Sequence, residues 1–82
     1  MIKKIEKYGA SWCAPCKLID KTLENVPSNI ELIKIDVEDS PELAEEKKIR
    51  SIPVLIFYDE NNTEINRLTG AVSWNKIEEI IR

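Results

Sequence analysis

The sequence predicts an α/β fold in which strands and helices follow in the order β-α-β-α-β-β-α, one four-stranded mixed sheet flanked by three helices. Three observations carry that expectation. Stretches rich in β-branched residues take turns with stretches whose apolar residues recur every three to four positions. One continuous apolar run, Val54 to Tyr58, is of strand length and has no polar face, as a strand covered on both sides requires. Clusters of proline and asparagine separate the pieces.

Ile2 to Ala10 carries Ile2, Ile5 and Tyr8 among lysines and reads as the first strand. From Ala14, the residues Leu18, Ile19, Thr22, Leu23 and Val26 recur at helical spacing until Pro27-Ser28-Asn29 ends the pattern. Ile30 to Val37 alternates, with Ile33, Ile35 and Val37 on one face and Leu32 on the other, which is a strand. Ser40 is placed to cap a helix of two to three turns with Pro41 in its first turn. Glu42, Glu45 and Glu46 fall toward its positive end, and Lys47, Lys48 and Arg50 toward the other. Val54 to Tyr58, the turn Asp59-Glu60-Asn61-Asn62 and the alternating Glu64 to Thr69, with Ile65 and Leu68, form a hairpin. After Gly70, Ser73 is placed to cap a last helix whose Trp74, Ile77, Ile80 and Ile81 make one stripe. The first β-α-β unit is expected to cross over right-handed and so to pair its strands in parallel.

Eighty-two residues suit one domain spanning 1–82. A 43% hydrophobic and 33% charged composition with two glycines is that of a folded chain, which excludes disorder. Twelve scattered basic residues against fifteen acidic ones leave no footprint for nucleic acid. The longest apolar run, Ile52 to Tyr58, is far short of the roughly 20 residues a membrane helix needs, and the opening residues lack the apolar core of an export signal. No membrane association and a cytoplasmic location are therefore expected. The chain contains no histidine, which removes Ser-His-Asp and Cys-His hydrolysis. The expected oligomeric state is a monomer.

The chemistry concentrates at Ser11-Trp12-Cys13-Ala14-Pro15-Cys16-Lys17. A disulfide across so short a loop contributes only roughly 2 kcal/mol by chain entropy, so stability is a poor reason for the spacing. Position is a better one. The first turn of a helix offers unpaired N–H groups and a partial positive charge, which favour a thiolate. Cys13, outermost, is expected to attack a substrate disulfide, and Cys16, inside the first turn, to resolve the mixed disulfide. Pro15 removes a competing N–H and fixes the backbone between the thiols. Two buried inert cysteines, or half of a metal site completed by a second subunit, are the alternatives. Pro53 opens a doubly buried strand to which it cannot donate, so either a kinked or cis bond there or a plain strand start is open.

Trp12-Cys13-Ala14-Pro15-Cys16-Lys17, the later Arg50-Ser51-Ile52-Pro53 and Gly70 together resemble the thioredoxin family, in a short, glutaredoxin-sized form. The resemblance extends from Ile5 to Arg82 and implies a thioredoxin fold without the extra N-terminal strand and helix. It implies a dithiol–disulfide oxidoreductase acting on protein disulfides, with Cys13 as nucleophile, Cys16 as resolving thiol and Pro53 as a cis-proline facing them. Substrate contacts would come from Trp12, Ala14, Pro15, Ile52, Pro53, Gly70 and Ala71, with Val72 completing an apolar rim and the Ile52 backbone pairing with an extended peptide. No cofactor is implied; the electron donor would be a flavoprotein reductase of the thioredoxin type. A glutaredoxin using glutathione is the competing reading, but Ser51-Ile52-Pro53 and Gly70-Ala71-Val72-Ser73 depart from the glutaredoxin Thr-Val-Pro and Gly-Gly-x-x-Asp segments. Two residues depart from the thioredoxin pattern as well. Ala14 stands where the family has glycine, and Lys7 where it keeps a buried aspartate. Lys7 and Lys17 are thus candidates for tuning the thiols. For Lys7 two placements are open: a stem running along a sheet edge into solvent, or a side chain beneath the Cys13–Cys16 loop.

Overall fold

In the computed structural model, which describes residues 1–82, the sheet is built from β1 (Ile2–Gly9), β2 (Glu31–Asp36), β3 (Val54–Asp59) and β4 (Glu64–Thr69). Helices α1 (Ala14–Thr22), α2 (Pro41–Glu46) and α3 (Trp74–Ile81) connect or follow them. The order across the sheet is β2-β1-β3-β4; β1 and β2 run parallel, and β3 is antiparallel to both β1 and β4. The mixed four-stranded sheet with three helices is as expected. No helix is long and apolar enough to cross a membrane.

The two faces of the sheet carry separate cores. On one face Ile5, Leu55 and Phe57 of the inner strands meet Ile19 of α1, the adjoining Leu23, and Ile77 of α3, with Trp74, Ile80 and Ile81 packed around them. Each fully buried side chain of this size contributes about 1.5–3 kcal/mol relative to exposure. On the other face Tyr8, Val54, Ile56 and Tyr58 meet Leu43 and Ile49. β3 is therefore buried on both sides, as its unbroken apolar run requires. Glu6 sits at the margin of that second core. Its carboxylate accepts hydrogen bonds from Tyr8 (3.0 Å) and Tyr58 (2.6 Å), clasping β1 to β3.

Several local details differ from expectation. The first helix tightens at Leu23–Asn25 into a 3₁₀ turn and Val26 is already extended, so only Cys16, Ile19 and Leu23 form the buried stripe. Leu18 lies off that stripe and is 62% exposed. α2 ends at Glu46, shorter than predicted, because Lys48 turns into the left-handed region at φ 59°. Ser40 and Ser73 occupy the predicted cap positions, but neither side chain bonds to its helix. Ile65 is not on the core face with Leu68: the pairing of β3 with β4 shifts between Phe57 and Tyr58, Ile65 is the extra residue, and it is exposed.

Candidate active site

Cys13 is the N-cap of α1. Its backbone is extended, and its sulfur accepts a hydrogen bond from the Cys16 amide at 3.2 Å, one of the donors that a helix start leaves without an internal partner. Pro15 lies in the first turn, where its missing N–H costs nothing. The two sulfurs are joined as a disulfide, with Cα atoms 5.2 Å apart. Cys16, at 1% exposure, faces inward, and the pair packs with Ala10 against Val37 and Ile52.

Trp12 and Ile52 come together beside this pair. Trp12 is 66% exposed and is no part of the core. With Val37, Ile49, Arg50, Ser51 and Ile52 it lines a groove of about 200 Å³. The Ile52–Pro53 bond is cis, and Pro53 is buried at the start of β3. The Ile52 backbone makes no hydrogen bond to other backbone groups. Gly70, left-handed at φ 93°, donates its amide to the Pro53 carbonyl at 2.8 Å and so fixes the loop after β4 next to the proline. Ala14, Pro15, Lys17 and Ala71 are exposed. Val72, expected in the apolar rim, is half-buried and touches the main core.

Lys7 decides between its two placements. β1 is an inner strand, and Lys7 is buried at 7% exposure, so the edge position does not hold. It shares the face of Ile5, beneath α1, where its Nζ lies 3.0 Å from Oδ1 of Asp20. Asp20 is four residues beyond Cys16 on α1 and therefore on the same helix face. Neither Asp20 nor Gly9 is marked as a site residue by the sequence alone. The Cys16-to-Asp20 spacing was a usable signal for the first; nothing local marks the second. An ideal Cβ placed on Gly9 would lie 3.0 Å from the Cys16 sulfur and 3.3 Å from Lys7 Nζ, so only glycine leaves those two groups room.

A cysteine at a helix start, a second one turn inside, and a cis-proline loop beside an exposed tryptophan define a dithiol–disulfide oxidoreductase site on a four-stranded α/β scaffold. The chain belongs to the thioredoxin family, whose profile matches residues 3–82. It is 30% identical to a thioredoxin of Mycoplasmoides gallisepticum, over 98% of this chain and 82% of that one. It is 34% identical to part of a bifunctional thioredoxin reductase/thioredoxin of Mycobacterium leprae, over 78% of this chain and 15% of the longer one. Among solved structures, a Trichomonas vaginalis thioredoxin superimposes with a TM-score of 0.84 at 26% identity, over 98% of this chain and 77% of that one.

Proposed function

We propose that the protein reduces disulfides of client proteins in a cytoplasmic compartment and is returned to the dithiol by a flavoprotein reductase of the thioredoxin type. Cys13 attacks and Cys16 resolves. The observation that carries this reading is the position of Cys13: its sulfur already accepts an amide hydrogen bond at the start of a helix, so a thiolate there is favoured. In the first step the Cys13 thiolate bonds to one substrate sulfur, and the other leaves as a thiolate with the bonding pair. Cys16 then loses its proton, its sulfur bonds to that of Cys13, and the second substrate thiolate departs. The substrate gains two electrons and the protein loses them.

The exposed Trp12 groove and the unengaged Ile52 backbone favour an extended peptide over a small molecule, with Pro53 and Gly70 holding that edge. A reductase donor is in keeping with the Mycobacterium leprae relative, whose name joins both activities in one chain. The cycle needs only the two thiols, so we expect a monomer without bound cofactor. The test is insulin reduction by wild type, Cys13→Ser and Cys16→Ser, with mass spectrometry of the products. Cys13→Ser is expected to be inactive and unmodified, while Cys16→Ser is expected to stall as a mixed disulfide. An adduct on Cys13→Ser alone would reverse the two roles. Efficient turnover with glutathione and glutathione reductase alone would overturn the choice of donor.

A further inference from the structure

The redox pair has a second polar neighbour besides the substrate groove. Behind Cys16 opens a cleft of about 370 Å³ lined by Lys7, Gly9, Lys17, Asp20, Lys34 and Asp36, among others. Lys7 and Lys34 are direct partners in the β1–β2 register, an arrangement that brings two like charges side by side and is unfavourable alone. One carboxylate oxygen relieves it: Asp20 Oδ1 lies 3.0 Å from Lys7 Nζ and 3.6 Å from Lys34 Nζ. That oxygen is itself buried, and the two ammonium groups are its charged partners. Asp36 is differently engaged, its Oδ1 accepting from the Glu38 and Asp39 amides at 2.7 and 3.3 Å.

Two ammonium groups sharing one carboxylate leave a net positive charge. Lys7 Nζ and the Cys16 sulfur both lie within 3.3 Å of one point above Gly9, so the charge stands close enough to the thiol to favour its thiolate. We propose that Lys7, anchored by Asp20, is a positioning residue of the resolving step: its ammonium promotes loss of the Cys16 proton to solvent in the cleft, after which the thiolate attacks the Cys13 sulfur. Lys7 itself accepts no proton. Asp20 holds the ammonium in place and moderates it, so the two residues act on the thiol in opposite directions. This deepens the oxidoreductase reading and rests on Cys16 being the resolving thiol. The charged groups facing Cys16 across the cleft are Lys7 from β1, Lys17 and Asp20 from α1, and Lys34 and Asp36 from β2.

The test is single-turnover reaction of the reduced protein with one equivalent of dithiobis-nitrobenzoate, followed by absorbance across pH. The first thionitrobenzoate released reports attack by Cys13; the second reports ring closure by Cys16, an intramolecular step that needs no reductase or client. Lys7→Met is expected to move the midpoint of the second phase up by about one pH unit, which is about tenfold slower closure below the midpoint. Asp20→Asn is expected to move it down. Lys34→Met, at an exposed position that tolerates change, is expected to move it up by less and keeps the test open should Lys7→Met not fold. Slower closure with an unmoved midpoint in all three would assign these residues a packing role and overturn the proposal. An upward shift in Asp20→Asn would make Asp20 the proton acceptor and overturn it too. Release of a single thionitrobenzoate per wild-type protein would instead show that Cys16 does not close onto Cys13 and refute its role as the resolving thiol.

Discussion

Gly9→Ala isolates one contact at the centre of the site. Gly9 ends β1 directly beneath the cysteines, and an added Cβ would stand 3.0 Å from the Cys16 sulfur, 3.2 Å from its Cβ and 3.3 Å from Lys7 Nζ. Carbon pairs are most favourable at about 3.5–4.0 Å, so each neighbour would have to yield by several tenths of an ångström. Neither can do so freely. Cys16 is fixed in the first turn of α1 and bonded to Cys13, and the Lys7 ammonium is held by Asp20. Overpacking of this kind costs about 1–3 kcal/mol. Unlike Gly70, Gly9 does not have a left-handed backbone, so alanine also stiffens the unfolded chain, a stabilising effect of about 0.4–1 kcal/mol. The net expectation is a loss of about 1 kcal/mol, which in a chain of this length is about 4–8 °C in Tm. Thermal unfolding of oxidised and reduced protein measures it. The loss should be larger in the oxidised form, where the disulfide prevents the Cys16 sulfur from swinging aside. A Tm within a degree of wild type in both states would show that the strand end shifts freely and refute the reasoning.

Three further outcomes follow from the fold. Lys48→Gly should raise stability by about 0.5–1 kcal/mol, because Lys48 is left-handed at φ 59° and glycine relieves the Cβ clash there; urea unfolding checks it. Ile77→Ala, at the one fully buried position of α3, should cost about 2–5 kcal/mol by the same measurement. Burial first, and then the hydrogen bonds to Glu6, raise Tyr8 and Tyr58 well above the usual tyrosine range. The unfolded chain therefore releases protons near pH 10 that the folded chain keeps, so stability is full below that pH and falls as pH rises above it. Tyr58→Phe should flatten the decline between pH 9 and 11 by up to about 1.4 kcal/mol per pH unit.

The element order, the doubly buried β3, the α3 stripe and the redox pair are all legible in the chain, because each is written in local periodicity or in a spacing of a few residues. Cys13 and Cys16 needed only a helix start, and Trp74, Ile77, Ile80 and Ile81 only the helical period. Boundaries were less legible: α2 stops at Glu46 because Lys48 adopts a left-handed turn that no glycine marks, and Ile65 is expelled by a shift in strand register. The surroundings of Cys16 are not written in any local stretch of the chain. Lys7, Gly9, Asp20 and Lys34 lie on three elements, and their grouping depends on the parallel pairing of β1 with β2 and on α1 crossing over both. A charge in a sequence carries no sign of what faces it, since Coulomb energy depends on distance and burial and not on separation along the chain. Lys7, whose two placements the sequence leaves open, is put by the fold on an inner strand, with the Asp20 carboxylate and the Cys16 sulfur for neighbours.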